Sequence, residues 1–177
     1  LVLGIGDRGL HAHVIRPPRG REFGKSMESG AIARRRYVTK ASLDHFLRSG
    51  AAVSEVFEGN MLAGVVFLTI MRAGVQHLNL NPGPGGPGED GVYDDAMRRP
   101  VSVMSVANFL GLSYETTRRH VSVLIERGYC VRVGARGVMV PASVVRGPLL
   151  ERLEEASYSA TTQFLRTLRR GPDDLLG

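Results

Sequence analysis

The chain has 177 residues, 43% of them apolar and 23% charged, with a net charge of +6, a single cysteine and no tryptophan. That length suits one ordinary domain, or one small domain with helical additions. The lone Cys130 excludes an internal disulfide framework and a cysteine-based zinc site. The basic balance favours an anionic partner, nucleic acid or a membrane surface, but the most apolar run, Met61 to Met71, is too short to span a bilayer and is closed by Arg72.

Residues 1 to 26 begin with Leu1, are rich in Gly and Pro, and show no sustained periodicity. They are expected to be a disordered or non-native tail, such as a translated upstream stretch, with Met27 as the natural start. Gly4, Gly6 and Gly9 have the spacing of a dinucleotide-binding loop. That loop needs a strand before it and a full helix after it, and Pro17-Pro18 cuts any such helix short. Gly24-Lys25-Ser26 resembles the end of a phosphate loop, but Arg19 stands where its first glycine is required. His11 and His13 have no third ligand nearby. No cofactor and no metal is expected. Gly, Asp and Arg break the first residues, so they do not read as a secretory signal. With one cysteine, a cytoplasmic, nucleoid-associated location is expected.

Residues 27 to 80 read as helical. Ser42 to Leu47 predicts a short helix stopped by Ser49-Gly50. From Val53 to Leu78, apolar residues recur at three- and four-residue steps, predicting one long helix buried on more than one side. Residues 82 to 88 are all Pro and Gly, and residues 81 to 97 are expected to form a flexible linker.

Residues 98 to 145 carry the densest pattern. Arg98 to Val101 predicts a short extended lead-in. Ser102 can cap a helix running to Leu110, Gly111 suits a left-handed stop, and Ser113 can cap a second helix from Tyr114 to about Arg127, ended by Gly128. Thr117, His120, Val121, Leu124 and Ile125 make its inner stripe. Tyr114, Glu115, Thr116, Arg118, Arg119 and Ser122 are left mainly outward. Residues 129–133 and 138–140 predict a hairpin around Gly134 to Gly137, with Arg136 at its tip and Pro141 at its end. Two helices joined by a short Gly-containing turn are the helix-turn-helix pattern, and the hairpin is its wing. Between residues 95 and 141, seven arginines stand against Asp95, Glu115 and Glu126, with no lysine. Guanidinium forks suit phosphates and guanine edges.

The run Val106-Ala-Asn-Phe-Leu-Gly-Leu-Ser-Tyr-Glu-Thr-Thr-Arg-Arg-His-Val121 resembles the helix-turn-helix of bacterial winged-helix transcription regulators, particularly the cyclic-AMP receptor protein family. The resemblance is confined to residues 98 to 141. It implies that the positions of Glu115 and Arg119 contact base edges, whereas Tyr114 replaces a basic reader of that family. Thr117 and His120 replace apolar positions of its inner stripe. The many short strands of that family's cyclic-nucleotide domain have no counterpart in residues 27 to 97, so nucleotide binding is not carried over.

Residues 146 to 177 predict a helix opened by Pro148 and closed by Gly171-Pro172. Its stripe, from Leu149 through Leu153, Ala160 and Phe164 to Leu168, is expected to serve dimerisation, or else to pack on the 53–78 helix. The fold expected is mainly α with a small β-wing: a winged helix-turn-helix with N- and C-terminal helical extensions. The function expected is a homodimeric, sequence-specific regulator of double-stranded DNA, without a membrane and with an unknown small-molecule effector. Its DNA-binding residues would be Ser113, Tyr114, Glu115, Thr116, Arg118, Arg119, Ser122, Arg132 and Arg136. The alternative is a winged-helix protein-assembly module. Catalysis is not expected: the carboxylate pairs Asp94-Asp95 and Glu154-Glu155 fall in a linker and on a helix surface, with no convergent His, Ser or Cys.

Overall fold

A computed structural model describes residues 20–78, 86–135 and 137–171. Most of the expected tail, the first part of the linker and Arg136 lie outside them. The protein is mainly helical, with a three-stranded antiparallel sheet. In chain order it consists of α1 (Gly20–Val56), α2 (Met61–Val75), a single 3-10 turn (Asp95–Met97), β1 (Val101–Ser102), α3 (Val103–Leu110), α4 (Tyr114–Glu126), β2 (Val131–Val133), β3 (Gly137–Met139), α5 (Ala142–Val145) and α6 (Pro148–Arg169).

The first helix corrects three expectations. It takes in residues 20 to 26 of the supposed tail, and it runs through Ser49-Gly50 instead of stopping there. A glycine inside a helix costs only about 1 kcal/mol, and here its missing side chain makes room for Met61, whose Cε lies 3.1 Å from where a Cβ would stand. The third correction is the 53–78 helix, which is two helices meeting at 98°. The break is built by Glu58 and Gly59, both at positive φ (55° and 85°). The Gly59 amide donates to the Ser54 carbonyl at 2.7 Å, and Asn60 caps α2 by accepting from the Ala63 amide at 3.0 Å.

Turned inward by this break, α2 passes through the centre of the molecule. Val66, Phe67 and Ile70 are fully buried, and α2 touches α1, α3, α4, β1 and β3. It is buried on more than one side, as its composition predicts. Phe57, Phe67 and Tyr129 form an aromatic cluster with centroids 5.4 to 6.4 Å apart. Gly64 lets α1 cross closely: a Cβ there would meet Val53 Cγ1 and come within 2.8 Å of Phe57 Cδ2. Gly64→Ala is therefore expected to destabilise the fold by about 1–3 kcal/mol, read as a lowered denaturant midpoint at unchanged slope. An unchanged midpoint would mean that the α1–α2 crossing relaxes freely.

The expected linker is also corrected over its described part. Residues 86–97 form a pinned strap, because their polar groups find partners far along the chain. Asp95 Oδ1 accepts from the Ala142 amide at 2.6 Å, and Arg146 Nε donates to Asp90 Oδ2 at 2.6 Å. Arg98 is buried and donates to the carbonyls of Tyr93 (3.0 Å) and Val140 (3.5 Å). Its burial lowers the guanidinium pKa and Asp95 opposes that shift, but an arginine remains charged in either case. The Arg99 amide donates to Gly74, tying the strap to α2.

The sheet has the order β1-β3-β2, with Val138 between Val101 and Arg132. The expected hairpin is present, and Val101–Ser102 adds a third strand to it. Pro148 begins α6 as predicted. Its stripe packs on α1 in antiparallel fashion: Tyr37 Oη donates to the Thr167 carbonyl at 2.7 Å, and the His45 and Phe164 rings stack at 5.0 Å. Toward the start of α6, Leu150 and Leu153 join the core.

Candidate nucleic-acid interface

Three short-range signals position α3 and α4. Ser102 accepts from the Ser105 amide at 3.0 Å, fixing the start of α3. Gly111, at φ 65°, turns the chain out of it, and the Leu112 amide closes on the Ala107 carbonyl at 3.0 Å. Ser113 then accepts from the Thr116 amide at 3.1 Å and opens α4. Gly128, at φ 73°, ends the second helix, and the Tyr129 amide returns to the Leu124 carbonyl. Of the predicted inner stripe, Thr117, Val121 and Leu124 are fully buried; His120 and Ile125 are half-buried. The Thr117 hydroxyl donates to the Ser113 carbonyl at 3.1 Å, which removes the cost of burying it.

The opposite face of α4 is exposed at Tyr114, Glu115, Arg118 and Arg119. Arg118 grips the Glu115 carboxylate with two parallel bonds, Nε to Oε2 and Nη2 to Oε1, both 2.8 Å, and Arg119 Nε reaches Oε1 at 3.1 Å. These bonds, Arg118's first, hold the Glu115 carboxyl at about 2, well below its ordinary 4.5, and raise the pKa of Arg118. One carboxylate thus orders two guanidinium groups on one side of the helix. The side chains of Arg118 and Arg119 stay 46% and 76% exposed, so their remaining N–H donors are open to a partner.

The remaining predicted site residues are distributed unevenly. Ser113 and Thr116 are occupied by capping, their hydroxyls 2.8 Å apart. Ser122 is half-buried on α4, Arg132 is exposed on β2, and Arg136 lies outside the described residues. The outward set of α4 read from the sequence does not include the sharing of the Glu115 carboxylate by Arg118 and Arg119. Spacings of three and four residues from Glu115 are the signal that could have found it. Arg127, at the far end of α4, is paired with Glu58 at 3.1 Å.

Among the described residues, no cluster of His, Cys, Asp or Glu could hold a metal ion. No single described helix is long and apolar enough to cross a membrane. Asp95 is engaged with Ala142 and Arg98, and Asp94 with Arg146. Cys130 is buried, and burial pushes its thiol up to about 12. It is therefore expected to resist a thiol reagent at mildly alkaline pH until the protein is unfolded. Stoichiometric labelling of the native protein within minutes would contradict this. No protein-family model, curated protein or solved structure matches the chain.

Proposed function

We propose that this chain is a sequence-specific DNA-binding transcription regulator, in which residues 98–145 act as a winged helix-turn-helix. In this reading α4 lies in the major groove and the β2–β3 hairpin is the wing, resting on the backbone or minor groove. The observation that carries the reading is the outer face of α4, where a helix set at its N-terminus by a tight turn presents Arg118 and Arg119 ordered by Glu115. A 13-residue helix is about 20 Å long, suited to a groove about 12 Å wide. Arg132 on β2 would add a phosphate contact on the flank. Tyr114 contributes a polar tip and an aromatic face in the first turn, so its base preference differs from that of a basic reader.

Selection of bound fragments from random double-stranded DNA tests the reading directly. Enrichment of a defined sequence, bound with an affinity that falls steeply with salt, is the expected result. Failure to retard any DNA at about 50 mM salt would overturn it and leave the protein-assembly reading, in which α4 meets a partner protein instead.

A further inference from the structure

We infer that one side of the α1–α6 pair, at the end carrying Arg36 and Arg170, is a second DNA-binding surface that grips the phosphate backbone of a duplex without reading its sequence. The choice of partner rests on the DNA reading of residues 98–145, but other residues carry the inference. Arg36 stands about 30 Å along α1 from Val56, two residues before Glu58, the partner of Arg127 at the end of α4. The two surfaces are therefore distinct.

Residues 34–40 hold Arg34, Arg35, Arg36 and Lys40 and no acid, and residues 161–170 hold Arg166, Arg169 and Arg170 and no acid. The nearest acids in sequence are Glu28 and Asp44 around the first run, and Glu155 and Asp173 around the second. Antiparallel packing brings the two runs together. The bond from Tyr37 Oη to the Thr167 carbonyl fixes their register, and the buried Ala41 and Ala160 let the helices lie close. Arg36 and Lys40 stand one residue before and three after Tyr37, and Arg166 and Arg170 stand one before and three after Thr167. At about 3.6 residues per turn both offsets fall on one side of a helix, and equal offsets from facing positions share one side of an antiparallel pair. All four residues are exposed, and none forms an ion pair among the described residues.

Charge and spacing identify the partner. Other arginines of the fold are spent on ion pairs, Arg127 on Glu58 and Arg146 on Asp90 and Asp94, whereas these four cations keep their charge for a ligand. Their positions lie about 6 Å apart along each helix and about 8–10 Å apart across the pair. A duplex carries a phosphate charge for every ~1.7 Å of its axis, so it can set a phosphate against each. Three of the four are arginines, whose forked donors take two phosphate oxygens at once. The Tyr37 bond and the His45–Phe164 stack hold the two helices together, so the array is ordered before a ligand arrives. On α6 the same side continues through Gln163 and Ser159, so it has no apolar side chain to insert into a lipid surface.

The test titrates the full chain and its variants, their folding checked by circular dichroism, against a long duplex of random sequence from about 50 to 200 mM salt. The native chain is expected to bind. Arg36→Gln/Lys40→Gln/Arg166→Gln/Arg170→Gln should bind at least about tenfold more weakly at the low-salt end and lose about 3.6 from the slope of log affinity against log salt. Arg36→Gln/Lys40→Gln alone should lose about half as much slope. Arg48→Gln/Arg72→Gln/Arg152→Gln, which removes exposed cations elsewhere, should lose less than about 1. A four-residue variant with the native slope overturns the proposal, as does an equal loss in the Arg48/Arg72/Arg152 variant. So does a native chain that holds phosphatidylserine vesicles through these residues and binds no duplex. The α4 reading is scored separately. If α4 does not face DNA, Arg118→Ala/Arg119→Ala binds the random duplex as the native chain does, while the four-residue variant still loses its slope. If only the present proposal fails, a selected sequence is still enriched and the four-residue variant binds it as the native chain does.

Discussion

Replacing Phe67 with alanine is expected to destabilise the protein by about 3–5 kcal/mol, the range for a large aromatic removed from a tight core. Phe67 is 0% exposed and stands at the centre of α2. Its ring lies 5.4 Å from Phe57, in the turn after α1, and 6.4 Å from Tyr129, in the turn after α4. The lost volume would thus open between the long helical pair and the α3–α4 unit. Neither neighbour collapses easily into the space. Phe57 is held between the two positive-φ residues that follow it and the close approach at Gly64. Tyr129 is held by the hydrogen bond its backbone N–H donates to the Leu124 carbonyl. For a chain of this size the midpoint of thermal unfolding should fall by on the order of 10 °C. Phe67→Leu, which refills most of the volume, should recover a large share of the loss. If Phe67→Ala lowers the midpoint by no more than a surface substitution does, the two parts of the molecule do not share one core.

The parts of the fold legible in sequence are those set by contacts a few residues apart. Ser102, Gly111, Ser113 and Gly128 each act within one helical turn, and the structure uses them as caps and stops where their chemistry suggests. What the sequence hides is set at a distance. The 86–97 strap is rich in Gly and acidic residues, and locally it has no reason to be ordered. Its order comes from Asp95 reaching Ala142 and Arg98 reaching Val140, 47 and 42 residues away. The Ser49-Gly50 pair is a stop signal by local propensity, yet the helix runs through it, and Met61 packs over the bare Gly50. At residues 57–60 the opposite occurs. Apolar periodicity carries across the break, and only the Glu-Gly-Asn sequence marks the turn and the new cap. The site divides in the same way: the outward set of α4 follows from helical periodicity, while the sharing of one carboxylate by two arginines depends on rotamers that periodicity does not specify.

That shared carboxylate leads to the largest expected effect on binding. Arg118→Ala/Arg119→Ala should lower affinity for a selected DNA site by roughly 2–6 kcal/mol if both groups read base edges. If both touch only phosphate, the loss should be similar on all sequences, and the slope of log affinity against log salt should shrink by about 1.8. Glu115→Gln separates the two roles of the carboxylate. It removes the charge that holds the guanidinium groups in place but keeps the shape of the side chain, so affinity for unrelated DNA should rise while discrimination falls. Acidification should not reproduce this effect near neutrality. The folded-state pKa of Glu115 lies below its ordinary 4.5, so its pairing is fully present above that value and is lost only as pH falls toward about 2. Binding measured from pH 6 to 8 should therefore carry no step from Glu115. If Arg118→Ala/Arg119→Ala binds every DNA as the native chain does, and Glu115→Gln changes neither affinity nor salt slope, then α4 does not face DNA.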